Sequence, residues 1–80
     1  MNTTMKQRIT VMTRNVADTL SPEQISTAMK QLREKMKVQD PDNPDLWVVR
    51  VNEHTLWGIL DHGAGPNGED VLTLLFPEDY

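Results

Sequence analysis

The sequence predicts a single small α+β domain of order β-α-β-β-β, with one amphipathic helix packed on an antiparallel sheet whose last three strands form a meander. Three observations predict it. The stretch "SPEQ" at Ser21 announces a helix, which apolar residues at helical spacing then continue; three apolar runs rich in β-branched and aromatic residues follow; and Gly, Pro, Asn and Asp crowd the segments between them. A chain of 80 residues fits one domain, which buries about 60–65 % of its unfolded surface and has no room for a second lobe.

Taken in order, residues 1–5 read as a disordered N-terminal tail. "RITVMT", from Arg8 to Thr13, alternates Ile9 and Val11 with Thr10 and Met12, the period of a strand. "NVADTL", from Asn15 to Leu20, reads as a connection or a short helical turn. Ser21 then serves as N-cap, Pro22 occupies the first helical position where its missing N–H costs nothing, and Gln24 completes a capping box. Glu23 in the first turn and Lys35 with Lys37 in the last suit the helix dipole. Ile25, Ala28, Met29, Leu32 and Met36 fall on one stripe, the face that packs on a sheet.

"QDPDNPD", residues 39–45, cannot continue the helix and reads as a Pro/Asp-rich connector. The runs "LWVVRV" (Leu46 to Val51), "TLWGIL" (Thr55 to Leu60) and "VLTLLF" (Val71 to Phe76) read as three strands. "NEH" joins the first two as a hairpin, residues 61–70 form a Gly-rich hairpin loop before the third, and Pro77 stops it. A two-residue and a three-residue "NEH" loop place Trp57 on opposite faces, so the register stays open.

Composition narrows the classes of function. Hydrophobic residues at 38 % and charged ones at 25 % are those of an ordinary globular protein. With no cysteine there is no disulfide framework, no zinc–thiolate site and no thiol nucleophile. No window approaches the roughly 18 apolar residues of a membrane span, and the chain reads as cytoplasmic. The net charge of −4 hides a strong polarity. From Met1 to Gln39 seven basic residues meet three acids, a net of +4; from Asp40 to Tyr80 Arg50 alone meets nine acids, a net of −8. Such polarity either pairs a basic helix with an acidic sheet rim inside the molecule or reserves each side for a partner of opposite sign.

The constellations that carry chemistry elsewhere are weak here. Gly63, Gly65 and Gly68 have the G-x-G-x-x-G spacing of phosphate-binding loops, yet such a loop must open a helix whose free N–H groups meet the anion. This one leads into a strand, contains Pro66 and is surrounded by Asp61, Glu69 and Asp70, so its glycines read as positive-φ turn positions around Pro66, Asn67 and Gly68. His54 and His62, with Asp61 beside the latter, lack a nucleophile and read as exposed residues at strand ends or loops rather than a catalytic or metal site. Asp40, Asp42 and Asp45 lack the EF-hand order and read as a surface loop. Trp47 and Trp57 read as core, with Gly58 beside Trp57 letting a cross-strand ring lie over the backbone. Neither a catalytic residue, a cofactor, a metal nor a small-molecule ligand is expected.

The candidate partner-binding residues are basic. Lys30, Arg33 and Lys37 follow i, i+3, i+7 spacing on one helix flank with Ser26, and Lys6 and Arg8 precede or open the first strand. The opening "MKQRITV" resembles the DNA-reading strand of ribbon-helix-helix repressors, and "ISTAMKQLREKMK" is similar to their second helix. That resemblance implies a dimer with a two-stranded ribbon in the major groove and Lys6, Arg8 and Thr10 at the bases. It spans Met5 to Lys37 only; "NVADTL" is short for that family's first helix, and the acidic β half is not part of its pattern.

The expectation is a non-catalytic interaction module, a small regulatory or accessory protein, whose partner is another protein or a second copy of itself. The alternative is a nucleic-acid-binding regulator that uses the basic strand and helix flank.

Overall fold

A computed structural model describes residues 8–38 and 44–80. The expected tail at 1–5 and most of the expected connector at 39–45 lie outside these residues.

The chain forms β1 (Arg8–Met12), α1 (Arg14–Thr19), α2 (Pro22–Lys35), β2 (Leu46–Val51), β3 (His54–Asp61) and β4 (Asp70–Leu75), followed by a 3-10 turn at Pro77–Asp79. The α+β reading holds: a long helix packs on a four-stranded sheet. The cap that announces α2 is formed in full. The Ser21 hydroxyl accepts from the Gln24 N–H at 3.1 Å, and the Gln24 side chain accepts from the Ser21 N–H at 2.9 Å. The apolar stripe faces inward as its spacing requires, with Ala28 and Leu32 fully buried and Ile25, Met29 and Met36 packed against the core.

"NVADTL" is more than a connection. The Thr13 hydroxyl accepts from the Val16 N–H at 3.3 Å, and this cap starts the six-residue α1, which buries Val16 completely. The Leu20 N–H returns to the Val16 carbonyl at 3.0 Å, closing the last turn just before the Ser21 cap.

The sheet order is β1-β4-β3-β2. The meander expected of the last three strands is present, with β2 antiparallel to β3 and β3 antiparallel to β4. The expectation of a wholly antiparallel sheet is corrected: β1 lies parallel to β4, so the sheet is mixed. The physical reason is the path through α1 and α2. It carries the chain from one edge of the sheet to the other, so β1 and β2 occupy opposite edges, and the strand left beside β1 is the last one, running the same way.

Register decides which side chains share a face. The β2–β3 loop holds two residues, Asn52 and Glu53, between the Val51↔His54 pair, and Asn52 takes the left-handed φ of 55°. Trp47, Val49, Val51, Leu56, Gly58, Leu60, Leu72 and Leu74 consequently face the helices. Gly58 is required by that packing. A Cβ there would stand 2.6 Å from Leu32 Cδ1, so the glycine lets α2 sit close to the middle of the sheet.

The opposite face carries four rows. Arg50 and Thr55 form the first; Val48, Trp57 and Leu75 the second; Leu46, Ile59, Thr73 and Val11 the third; Asp61, Val71 and Ile9 the fourth. The expectation that both tryptophans lie in the core is corrected here. Trp47 is 8 % exposed beneath α2, whereas the two-residue hairpin turns Trp57 to the other side, where it is half-buried and meets the Tyr80 ring edge-on at 5.8 Å.

Candidate functional site

A two-layer domain buries one face of its sheet under helices. Among the described residues no α-helix or strand covers the other face; Tyr80, after the C-terminal 3-10 turn, lies against Trp57 there and Leu75 of the same row is 5 % exposed, and most of the remainder is apolar. Val11 and Val48 are 40 % and 41 % exposed, and Ile9, Leu46, Trp57, Ile59 and Val71 are half-buried. In a half-solvated antiparallel sheet the outward positions normally read as polar. Here Thr55 and Thr73 are the uncharged polar members, and the charges stand in the two end rows: Arg50 at one end and Asp61 at the other, both exposed. Neither side chain has a hydrogen-bond or ion-pair partner among the described residues.

The free edge of β2 is treated differently. Lys35 of α2 donates to the Val48 carbonyl, a backbone acceptor that points away from the sheet. A lysine over an edge strand discourages another strand from pairing there, so the face rather than this edge is left open.

The glycine loop explains itself through its own carboxylates. Gly68 N–H donates to the Gly65 carbonyl at 3.0 Å, and Gly65 N–H to the Glu69 carbonyl at 2.8 Å. The Glu69 carboxylate accepts from the Asn67 N–H at 2.8 Å, and the Asp70 carboxylate accepts from the Gly63 N–H at 3.0 Å. Backbone N–H groups of Glu69 itself and of Asn67 hold the Glu69 carboxyl below its usual range. These four N–H groups are therefore occupied within the loop, two by its carboxylates and two by backbone carbonyls. Gly63 and Gly68 take positive φ values of 68° and 82°, as the turn reading requires, whereas Gly65 does not and is instead crowded by Glu69, whose Oε1 would stand 2.6 Å from a Cβ there.

His54 and His62 are separated by nearly the whole of β3, so they form no joint site. His54 lies against Phe76, with ring centroids 5.8 Å apart. The partner of His62 is not the adjacent Asp61. Its Nε2 is 2.9 Å from Asp45 Oδ1, and its Nδ1 is 3.6 Å from Asp70 Oδ2. The hydrogen bond and the charge of Asp45, with a smaller contribution from Asp70, raise the His62 pKa above its ordinary 6.5. This exposed cluster ties the start of β2 to the loop before β4. Of the three aspartates weighed for a cation, Asp45 is committed to His62, and Asp40 and Asp42 lie outside the described residues.

A second clamp joins the chain ends of the domain. Asp79 accepts from the Thr13 hydroxyl at 2.8 Å, from the Asn15 amide at 3.1 Å and from the Phe76 N–H at 3.2 Å. Partial desolvation acts on its carboxyl most strongly and pushes the pKa up, but these three donors together outweigh it and leave the pKa lowered.

The basic candidates are only partly gathered. Arg8 reaches the C-terminal end of α2, its Nη1 4.0 Å from Met36 Sδ, while Lys37 is held by Glu34 at 3.0 Å. Lys30 and Arg33 are exposed on the helix flank, and Lys6 lies outside the described residues. β1 is hydrogen-bonded into a four-stranded sheet, which is not part of the ribbon-helix-helix pattern.

What sequence reasoning missed is the open face. Its signal was present in the doubled apolar residues of "LWVVRV" and "TLWGIL", where strict alternation with polar residues fails. No helix among the described residues is long and apolar enough to cross a membrane. Compared with family models, with curated proteins and with solved structures, the chain finds no match in any of the three.

Proposed function

We propose that this chain is a non-catalytic protein-binding module, a small regulatory or accessory protein of the cytoplasm, whose docking surface is the open face of the sheet. The observation that carries this reading is the pair of rows containing Val48, Trp57, Leu46, Ile59 and Val11: a contiguous apolar surface on rigid strands, flanked by charge at both ends. An apolar core with a charged rim is the composition of an interaction surface. The test is site-specific photo-cross-linking in cells, with benzoylphenylalanine at Val48 on the open face or at Ser26 on the outer flank of α2. Protein adducts from Val48 and none from Ser26 are expected. Adducts from Ser26 alone would overturn the assignment.

The nucleic-acid reading keeps one observation in its favour: Lys30 and Arg33 are exposed on the flank of α2, their side chains without a hydrogen-bond or ion-pair partner among the described residues. Arg33→Ala with Lys37→Ala decides it. Salt-sensitive retention on duplex DNA that disappears in the double variant supports this reading, and absence of retention in the parent protein removes it.

A further inference from the structure

We infer that the occupant of the open face is a second copy of this chain, packed sheet against sheet about a twofold axis that runs across the strands. The inference rests on reading that face as the docking surface and adds the identity of what docks. Its basis is the order of the rows. Arg50 lies two residues beyond Val48 toward one end of the strands, and Asp61 lies two residues beyond Ile59 toward the other. An axis placed between the Val48–Trp57 row and the Leu46–Ile59 row exchanges these two apolar rows. The same operation brings the Arg50 end of each copy over the Asp61 end of its partner, twice.

A twofold interface must be complementary to itself, and a face with one cation at one end, one anion at the other and apolar rows between them meets that requirement. Arg50 and Asp61 stand on neighbouring strands, about 4.8 Å apart laterally, a distance that an arginine side chain spans. The Lys35 contact over the edge of β2 disfavours the competing arrangement, continuation of the sheet by edge pairing at that strand.

Size sets the strength. Four strands across and about six residues along give a footprint of roughly 400 Å² per copy, about half that of a standard stable interface. Association is therefore reversible, with a Kd in the micromolar range or weaker.

Sedimentation equilibrium of the purified chain from about 1 to about 500 μM covers that range. The expected result is a monomer–dimer equilibrium that Arg50→Glu and Asp61→Arg each weaken about tenfold, and that the double variant, with the charges exchanged, returns toward the parent value. Both positions are exposed, and circular dichroism verifies that each variant is folded. A monomer at every concentration, or a dimer indifferent to all three variants, would overturn the inference. If the chain is monomeric while Val48 still cross-links to a different protein, self-pairing fails and the docking face stands. If Val48 yields no adduct at all, both fail.

Discussion

The two faces of one sheet invite comparison because the same strands build both. On the helix side Val49, Leu56, Leu72 and Leu74 are fully buried against Val16, Ala28 and Leu32, and a glycine is needed for the layers to approach. On the other side most of the alternate residues of the same strands are apolar and stop half-buried or exposed, Leu75 at 5 % excepted, with a cation and an anion at opposite ends. Folding of the monomer accounts for the first set. It does not account for the second, which leaves large apolar side chains in contact with water in a chain too small to spare buried area. That apolar surface, left over by the fold of the described residues, is the ground on which the face is proposed as a docking site.

The comparison breaks most readily at its helix side. Leu32→Ala removes a fully buried side chain that lies over Gly58 and is expected to cost about 2–5 kcal/mol, measured by urea denaturation; a loss below about 1 kcal/mol would deny the close helix–sheet packing. Gly58→Ala attacks the same contact from the sheet. Its Cβ would stand 2.6 Å from Leu32 Cδ1, and the forced shift of a buried side chain is expected to destabilise by about 1–3 kcal/mol.

A slope rather than a single value sharpens the surrounding frame. Because the folded-state pKa of His62 is raised above 6.5, its protonated form stabilises the fold fully below the unfolded value, and that contribution is lost as pH rises through the folded one. The parent protein should therefore lose stability relative to His62→Gln as pH increases from about 6 to 8. Parallel stability curves over that interval would contradict the Asp45–His62–Asp70 cluster. The smallest effect belongs to the open face: Val48→Thr is expected to change monomer stability by no more than about 0.5 kcal/mol while weakening association. A large loss of stability there would make Val48 core and erase the distinction between the faces.

Legibility in the sequence follows the range of the interactions. The α2 cap and stripe are local, set by Ser21, Pro22, Gln24 and residues three or four apart, and they stand as the sequence implies. The three meander strands are bounded by nearby turn residues and are equally legible. β1 beside β4 is a pairing of Ile9 with Val71, and no local pattern encodes a contact of that separation. The face of Trp57 hung on one residue of loop length, since a single-residue slip exchanges the two sides of a strand. For the same reason the open face could not be assembled from the sequence, because its rows come from four strands whose register had to be known. The acids of the glycine loop were legible as repelling a phosphate, but not as occupying its place: that depends on the turn bringing Glu69 back onto the Asn67 N–H.

The measurement that bears most directly on the difference between the faces is methyl NMR of the purified chain over a concentration series. Signals of Val11, Leu46, Val48 and Ile59 should shift together as concentration rises, while those of Leu32, Leu56 and Leu72 stay fixed. Spectra that do not change with concentration, or changes confined to the α2 flank around Arg33, would contradict a second copy seated on the open sheet.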